Sequence, residues 1–560
     1  MTAAPIDARA TELIAIGEKL YHGRLSLLSL WQEIAENFYP QRADFTYQRV
    51  LGEEFAWFLM DSFPVLCCRE LSTTLSTMLR PRGAQWFNLT CGRDEIDEKP
   101  ENAKWLERQS KAIYRAMYDP RAKFIRATKE GDADFVTFGN AVISIEEAPA
   151  KNHLLYRSWH LRDCAWVENN VGEVDTMHRR IKMQARNAIS TFGANNLDRR
   201  LVEASNKEPN REFEFRHILM PTEDYDAPRK RTKRLPFTSI YIDVGHERIV
   251  KEGGLRNFQY AVPRWQTVSG FQYSFSPATA IGLPDARCAQ DIGRTMTESS
   301  EKSVNPPLIA TQQAMRSDVN VQAGGITWVD AEYDEKMGEA LRPLQIVGNL
   351  EGGLAVRQDI REVLTRHFFL DKLTLPEAGK DMTAYEVARR LEDFVRNALP
   401  LFEPMEVEYN VALCEKTLAI LEWTAAIDRA GMPAELKQYP LSFKFQSPIQ
   451  DAAGRAKVAQ FQEGAQLIGI AKQLDQSVMP PVDLDASLLD ALEGTGAPAS
   501  WFKDEKQQIS DKMAAAHAAN VANLAKSLQM GAGVGGQVAD ATQKMRQAGL
   551  LPGGGGAIPS

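Results

Sequence analysis

Two helical segments separated by residues 305 to 347 constrain the fold of this chain more than any other feature. Residues 284 to 304 have helical periodicity, and Asn305-Pro-Pro307 ends that helix, because a residue that precedes proline is disfavoured in the helical region. The residues that follow, including Gly324-Gly-Ile-Thr-Trp-Val329, have the composition of strands and turns. A second helix is predicted from about residue 350 to 368. The pattern therefore predicts two helices joined by a strand-containing segment.

The remaining residues divide into helical and strand-rich regions. The first 85 residues are predicted to be mainly helical, and residues 101 to 139 are predicted to return to helix. Residues 140 to 270 instead contain short runs of β-branched and aromatic residues, such as Ile240-Tyr-Ile-Asp-Val244, with polar turns between them. The predicted fold class is therefore α+β and mainly helical. A length of 560 residues suggests about four modules at ~150 residues each.

A short loop is predicted after the second helix, from Leu370 to Asp381. Thr383 and Glu386 then form a capping box, because the hydroxyl and the carboxylate can each bind a free amide of the first helical turn. The long helix that begins there is interrupted at Pro400 and is predicted to continue as far as Gly431.

The composition argues against several classes of protein. Apolar residues make up 44% and charged residues 25% of the chain, which is the balance of a soluble folded protein. No apolar stretch approaches the roughly 20 residues needed to cross a bilayer, and the first residues lack the pattern of a signal peptide. The six cysteines have no paired spacing, which favours buried, reduced thiols in a cytoplasmic setting. A net charge of −8 argues against a surface that grips nucleic acid everywhere.

The sequence contains no motif that predicts catalytic, cofactor-binding or metal-binding residues. The eight histidines lack the i, i+4 pairing of a helical zinc site. His153 and His160 flank a predicted strand with Asp163 and Cys164 nearby, but a metal site there would need a ligand geometry that the spacing does not demand. Neither a nucleophile elbow nor a phosphate loop ending in Gly-Lys-Ser/Thr is present.

Two further patterns are better explained by ordinary structure. Residues 531 to 536 match the dinucleotide fingerprint Gly-x-Gly-x-x-Gly, but an Ala-rich helix precedes them where the fingerprint requires a strand. The basic run at residues 228 to 234 could meet phosphate, yet it follows an acidic patch, and a solvated loop explains it better.

Several phrases occur in a fixed order over roughly residues 10 to 505. They are Trp86-Phe-Asn-Leu89, Asp134-Phe-Val-Thr-Phe-Gly-Asn140, Gly172-Glu-Val-Asp-Thr-Met-His-Arg-Arg180, Thr191-Phe-Gly193, Pro263-Arg-Trp265, Ser274-Phe-Ser-Pro277 leading to Pro284-Asp-Ala, Asn305-Pro-Pro307, Met382-Thr-Ala-Tyr-Glu-Val387, Val482-Asp-Leu-Asp485 and Gly496-Ala-Pro498. In this order and spacing they resemble one family, the head-to-tail connecting (portal) proteins of podoviruses. One departure is Tyr273-Ser-Phe-Ser-Pro277, where the family usually has Tyr-Gly-Arg-Ser-Pro, so a contact made by that glycine or arginine in the family is not expected here.

The resemblance implies that the chain is one subunit of a ring, generally of about twelve, at one vertex of a capsid. It also implies a portal-type multi-domain subunit with a wing, a stem, a clip and a crown. The implied divisions are a wing at 1–283 (with β-rich residues 140–270), a first stem helix at 284–304, a clip at 305–347, a second stem helix at 348–369, a tunnel loop at 370–382, a wing long helix and return strand at 383–448, a helical C-terminal crown at 449–530 and a flexible Gly-rich tail at 531–560.

The implied function is a channel through which double-stranded DNA is packaged and ejected. No ATP-binding motif is present, so the resemblance implies a separate terminase, with major capsid, scaffold and tail adaptor proteins as further partners and no membrane. The tunnel loop would approach the DNA, and its candidate contact residues are Asp371, Lys372, Leu373, Thr374 and Lys380.

Two alternatives belong to other classes of protein. A DNA-processing enzyme of phage packaging would be expected to show a motif with clustered acidic residues and a basic face, neither of which the sequence displays. A capsid or scaffold component without a channel is the third possibility. The order of helix, inserted strands, helix and loop favours a portal protein over a capsid or scaffold component.

Overall fold

The computed structural model describes residues 7–50, 52–83, 85–148, 153–225, 234–304, 306, 308–310, 341–343, 350–373 and 405–445, together with isolated helical residues between 458 and 522. The fold is α+β and mainly helical, as the sequence predicts.

The helices of the described part of the chain include both members of the predicted pair. In chain order they are α1 (Ala8–His22), α2 (Leu25–Phe38), α3 (Phe63–Leu79), α4 (Asp94–Asp97), α5 (Pro100–Met117), α6 (Phe124–Phe138), α7 (Ala185–Phe192), α8 (Arg199–Lys207), α9 (Leu283–Val304), α10 (Leu350–His367), α11 (Leu370–Leu373) and α12 (Ala412–Trp423). Short π-helical segments at Ala278–Gly282 and Glu406–Val411 lead into α9 and α12. The helices predicted at 284–304 and at about 350–368 are therefore confirmed as α9 and α10.

The strands in the described part of the chain form four antiparallel sheets. They are β1 (Phe87–Thr90), β2 (Ile143–Glu147), β3 (Leu154–Ser158), β4 (Cys164–Glu168), β5 (Val174–Gln184), β6 (Glu212–Pro221), β7 (Phe237–Asp243), β8 (Arg248–Leu255), β9 (Tyr260–Ala261), β10 (Leu308–Ala310), β11 (Leu341–Pro343) and β12 (Ser442–Phe445). The sheet orders are β4-β5-β6-β7-β8, β3-β2-β9, β1-β12 and β10-β11.

The five-stranded sheet is a meander covered by helices on both faces. On one face, Ala10 and Leu13 of α1 pack against Ile218 and Ile240. On the other face, α7 and α8 supply a separate apolar cluster that contains Phe215 of β6. Ile218 and Phe215 are an odd number of residues apart on one strand, and successive side chains of a strand point to opposite faces. The alternation of β6 therefore places helices on both sides of the sheet.

The largest apolar core lies between the helices and the three-stranded sheet, and Trp31, Trp86 and Trp166 are fully buried in it. Residues far apart in sequence close this core. Strand β1 pairs with β12, with Phe87 opposite Phe445 and Thr90 opposite Ser442. The segment from residue 405 to 445 is therefore part of the same packed unit as α3, α5 and α6.

One further part of the predicted fold is confirmed and another was wrong in detail. The return to helix over residues 101 to 139 is confirmed as α5 and α6, which are separated where Pro120 starts a 3₁₀ turn and Lys123 adopts the left-handed conformation (φ 58°). The region from 140 to 270 is not made of strands alone, because α7 and α8 lie between β5 and β6. Both helices are short, and a short amphipathic run is easily read as a strand.

Two predicted boundaries were also wrong. The helix predicted to continue to Gly431 ends at Trp423, because Ala425 adopts the left-handed conformation (φ 55°) and the amide of Ala426 donates to the carbonyl of Leu421 at 2.9 Å, which closes the helix end. The loop predicted to begin at Leu370 begins later, because residues 370–373 form the helical turn α11.

Several predicted features lie outside the described residues. They are most of the clip at 305–347, the loop residues from Thr374 onward with Lys380, the capping box of Thr383 and Glu386, the helix over 387–404, nearly all of the basic run at 228–234, most of the crown at 449–530 and the tail at 531–560.

Candidate functional site: the paired helices and their fastening

Helices α9 and α10 pack antiparallel to each other. The carboxylate of Asp285, near the start of α9, lies 2.8 Å from Nε2 of His367, the last residue of α10. Towards the other end of α9, Met296 lies against Gly353 near the start of α10, where an added Cβ would be 3.6 Å from the Met296 Cγ. The two helices that the sequence separates by residues 305 to 347 therefore form one pair.

A single carboxylate fastens the chain before α3 to both helices. The Asp61 side chain is 1% exposed; its Oδ2 lies 3.0 Å from Nε of Arg357 and 2.9 Å from Nη2 of Arg361, both on α10. Gln290 of α9 accepts a hydrogen bond from the Asp61 amide at 2.9 Å and donates one to the Asp61 carbonyl at 2.8 Å. These four residues, Asp61, Gln290, Arg357 and Arg361, are called the Asp61 clasp.

The electrostatics of the clasp keep Asp61 ionised. Burial alone would raise the pKa of this carboxyl, but the amide of Phe63 and the guanidinium groups of Arg361 and Arg357 together lower its pKa below the ordinary value. Charge-assisted hydrogen bonds of this kind are about twice as strong as neutral ones. Asp61 is therefore ionised at neutral pH and forms ion pairs with both arginines.

The segment at residues 57–62 also packs closely against the backbone of α9. A Cβ placed on Gly293 of α9 would lie 3.1–3.2 Å from Cβ, C and O of Met60. Distances this short are rare between a real Cβ and a neighbour, so glycine lets the 57–62 segment lie directly on the helix.

Hydrogen bonds join two of the sequence segments that carry the family resemblance, residues 134–140 and 274–277, just before the start of α9. Asn140 exchanges hydrogen bonds with the backbone of Ser274, with its Nδ2 3.1 Å from the Ser274 carbonyl oxygen and its Oδ1 3.1 Å from the Ser274 amide. The Ser276 hydroxyl donates to the carbonyl of Thr137 at 2.7 Å. Phrases that are far apart in sequence thus meet at the end of α6, directly before the π-helical segment that leads into α9.

Arg264 connects three further segments. Its guanidinium contacts the Glu168 carboxylate, donates to the carbonyl of Gly172 at 2.9 Å and lies 3.3 Å from Glu408. It is the central residue of the Pro263-Arg-Trp265 phrase, and Gly172 begins another phrase. Arg264 therefore ties the edge of the five-stranded sheet to the chain that enters α12.

A buried ion pair joins α3, α6 and the 405–411 segment in the same way. Arg80 pairs with Asp132, and both side chains are nearly inaccessible to solvent. The Arg80 Nη1 also donates to Oδ1 of Asn410 at 3.0 Å, and the guanidinium lies 4.7 Å from the ring centre of Tyr409. Removing one partner of such a buried pair typically costs about 3–5 kcal/mol.

The predicted DNA-contact residues are only partly brought together. Asp371 and Lys372 are exposed on α11, and the Lys372 ammonium lies 5.9 Å from the ring centre of Phe369. Leu373 is buried in the main core, so it does not belong to an exposed loop as the sequence predicted. The left-handed conformation of Phe369 (φ 55°) turns the chain between α10 and α11. Thr374 and Lys380 lie outside the described residues.

The members of the Asp61 clasp were not predicted from the sequence. One signal was available, because Arg357 and Arg361 are four residues apart and therefore lie on the same face of a helix. Nothing local in the sequence indicates that their partner is Asp61, which is about three hundred residues away in the chain.

The described residues offer no cluster of potential metal ligands, since no group of three or more His, Cys, Asp or Glu side chains suited to a metal ion occurs among them. His160 is engaged with Asp44 through Nε2, and its Nδ1 accepts from the amide of Arg162 at 3.0 Å. No helix in the part of the chain that the structure covers is long and apolar enough to span a bilayer.

Five of the six cysteines are buried, and Cys288 is exposed. Burial raises the pKa of the Cys68 thiol and of the Cys164 thiol to about 12. These two groups are therefore neutral, weakly reactive thiols at physiological pH.

The sequence of the chain matches a known family along most of its length. Residues 10–502 match the family model for bacteriophage head to tail connecting proteins. The chain therefore belongs to the family of bacteriophage head to tail connecting proteins, and its place is in the phage virion, between head and tail.

Two phage proteins are similar to it over most of their own length. The first, a probable portal protein of Bordetella phage BPP-1, is 25% identical over 438 residues, which are 77% of this chain and 77% of that protein. The second, the portal protein of Salmonella phage epsilon15, is 20% identical over 499 residues, which are 87% of this chain and 88% of that protein.

Two solved particle structures also resemble the chain weakly. The neck of an empty gene transfer agent particle has a chain with 11% identity and a TM-score of 0.32, covering 83% of this chain and 99% of that one. The virion of a native gene transfer agent particle gives 10% identity and a TM-score of 0.27, covering 82% and 98%. Scores this low do not establish a common fold, so the family assignment stands on the sequence match.

Proposed function

We propose that this chain is the portal subunit of its phage, that about twelve copies close into a ring, and that double-stranded DNA enters and leaves the capsid through that ring. The observation that carries the proposal is the family match over residues 10–502. A structural role follows from that family, and the alternative of a DNA-processing enzyme has no specific observation in its favour.

The charge of the chain suits a channel that DNA must pass in both directions. Duplex DNA carries about one charge per 1.7 Å, so a lumen lined by many Lys and Arg side chains would hold it through many phosphate contacts. The net charge of −8 does not call for such a lumen. In the proposed channel, Lys372 and Lys380, balanced by nearby acids, give weak and transient contacts with phosphate.

The partners follow from the role of a connector. The segment between α9 and α10 is the proposed docking site for a terminase during packaging and for tail adaptor proteins afterwards. The major capsid and scaffold proteins surround the ring during assembly. The divisions into wing, stem, clip, tunnel loop and crown given above are part of this proposal.

Negative-stain electron microscopy of the purified full chain, with mass from light scattering, tests the proposal. Rings of about a dozen subunits with a central hole wide enough for duplex DNA (~20 Å) are expected. Monomers at all concentrations, together with metal-dependent cleavage of DNA, would instead favour the enzyme.

The role of the loop is tested by the double variant Lys372→Ala with Lys380→Ala. Impaired packaging or impaired retention of DNA is expected, because two cations that face phosphate are lost. Normal packaging and retention would remove these lysines from the proposal and leave the ring intact.

A further inference from the structure

A group of cations surrounds the junction between α5 and α6. We call it the basic face, and it consists of Arg121, Lys123, Arg126, Lys129 and Arg157, all of them exposed. Two of the five have acidic neighbours: Arg121 lies 2.7 Å from Asp119, and Arg126 lies 3.0 Å from Glu130. The remaining cations leave the basic face with a positive charge, although the chain as a whole is acidic.

The basic face contains a place that fits a carboxylate. A cavity of about 210 Å³ is lined by three cations, one acid and a Trp wall: Lys123, Arg126, Arg157, Glu130 and Trp159. Glu130 is paired with Arg126, so Lys123 and Arg157 leave the lining with a positive charge. The Ser158 hydroxyl is buried and makes no hydrogen bond with any residue that the structure describes.

The first turn of α6 contributes Lys123 and Arg126 to the same lining. Lys123 is the residue before α6, and no side chain caps the helix. The start of a helix carries a partial positive charge. The cations and the uncapped start of α6 together favour a carboxylate supplied from outside this subunit.

An acidic surface lies at the other end of α5. We call it the acidic face, and it consists of the exposed residues Asp94, Glu95, Glu98 and Glu101. One cation beside it, Lys444, lies 4.0 Å from Asp94, whereas two others are engaged elsewhere. Lys99 pairs with Glu435 at 2.8 Å, and the Arg93 guanidinium lies over the ring of Tyr439.

One rigid helix separates the two faces. Helix α5 has 18 residues, which corresponds to about 27 Å at 1.5 Å per residue. The acidic face therefore cannot reach the basic face of its own subunit. A closed ring needs two different, complementary faces on each subunit, because every interface repeats the same head-to-tail contact.

We infer that the basic face of one subunit docks on the acidic face of the next copy of this chain, with a carboxylate of the neighbour entering the cavity beside α6. This inference rests on the proposed ring and names the partner surfaces within it. Because the contact is made of exposed charges, ring formation is expected to weaken as the salt concentration rises.

Charge reversal tests the contact in the full-length chain. One variant carries Lys123→Glu with Arg157→Glu, so both of its faces are acidic. The other carries Glu95→Lys with Glu98→Lys, so its acidic face, in which Asp94 and Glu101 remain, loses its net charge. Each variant alone is expected to form at least about tenfold fewer rings than the parent, because opposite charges no longer meet at every interface. An equimolar mixture of the two is expected to form rings again, with the variants alternating.

The control variant carries Lys19→Glu with Lys207→Glu on exposed sites of α1 and α8, which shifts the net charge as much as the first face variant does. It is expected to form rings like the parent. Recovery in the mixture also shows that both variants fold. If the parent forms rings and both face variants do so as well as the control, the inference is overturned while the proposed function stands. Loss of rings without recovery in the mixture also overturns it. If the parent itself forms no rings, the proposed function fails first.

Discussion

Gly139 ends α6 at a point where no other residue fits without strain. Its φ is +78°, and an added Cβ would lie 2.7 Å from the carbonyl carbon of Phe275 and 2.8 Å from the amide nitrogen of Ser276. Both obstacles are backbone atoms, so neither can move aside as a flexible side chain would. The glycine is therefore needed both for its backbone conformation and for the contact between two segments at the start of α9.

Gly139→Ala is expected to lower the free energy of unfolding by more than about 2 kcal/mol, because strain in the left-handed region (about 1–2 kcal/mol) adds to the clash. Gly270→Ala is the matched control, since Gly270 also has a positive φ (+89°) but open space around its Cβ. Gly270→Ala should lower the free energy of unfolding only by the strain of the left-handed conformation, without a clash. Urea unfolding followed by tryptophan fluorescence measures both, and equal losses would show that the close contact contributes nothing.

His178 makes the stability of the fold depend on pH in acid. The side chain is 1% exposed, and burial, together with the nearby Arg216 guanidinium, lowers its pKa to about 4. Below the unfolded-state pKa of about 6.5, the unfolded chain binds a proton that the folded chain does not. Stability is therefore fully present above that value and falls as the pH is lowered towards 4.

His178→Gln is expected to reduce this acid sensitivity by up to about 1.4 kcal/mol per pH unit between pH 6.5 and 4. The measurement is the urea midpoint of parent and variant at several pH values within that window. The difference between the two chains should be constant above pH 7. A difference that is also constant below pH 6.5 would contradict the assignment of the proton to His178.

At the scale of elements, the Asp61 clasp holds α9, α10 and the 57–62 segment in one arrangement. Asp61→Asn is expected to lower the free energy of unfolding by about 1–3 kcal/mol, because Arg357 and Arg361 lose their counter-ion while keeping partial access to water. It should also speed hydrogen exchange of residues 57–66. Because the pKa of Asp61 is lowered in the folded chain, the stabilisation by the clasp is present above pH ~4. It is lost as the pH falls through the folded-state pKa of Asp61.

Asp371→Asn is a suitable control for the clasp, since Asp371 is exposed at the end of the same helical pair. It is expected to leave hydrogen exchange of residues 57–66 unchanged. If Asp61→Asn also leaves that exchange unchanged, the clasp does not hold the segment.

The end of α12 offers a gain in stability. Ala425 occupies a left-handed position (φ 55°) at which glycine is favoured. Ala425→Gly is expected to raise the free energy of unfolding by about 1 kcal/mol, whereas Ala426→Gly, one residue further on, should give no such gain. Thermal unfolding of the three chains measures the effect, and equal shifts for both variants would refute it.

The elements that the sequence predicted well are those whose signals are local. The helix before Asn305 and the helix after residue 350 have long periodic patterns, and the proline pair sets a clear boundary. The predictions failed where the deciding contact is distant or the element is short. The end of α12 depends on a left-handed alanine, and the burial of Leu373 depends on packing against a core assembled from the whole chain. The same limit explains why the clasp was missed, since no pattern near Asp61 indicates an arginine in α10.

At the scale of the whole molecule, removing residues 531–560 is expected to leave ring formation and the melting temperature unchanged. The segment is Gly-rich and has few residues that could be buried in a core, and the family match ends at residue 502. Electron microscopy and thermal unfolding of the truncated chain check this. A loss of rings would show that the tail takes part in assembly.

The pairing of β1 with β12 has a consequence for how the protein is made. Roughly 350 residues separate the two strands, so at a synthesis rate of about 5–20 residues per second β1 waits tens of seconds on the ribosome for its partner. The five-stranded sheet has no such delay, because all of its strands lie within residues 164 to 255. During translation the sheet can therefore be complete while the helical core remains open. In the proposed assembly, a subunit can enter the ring only after the segment that carries β12 has left the ribosome, which separates synthesis from assembly in time.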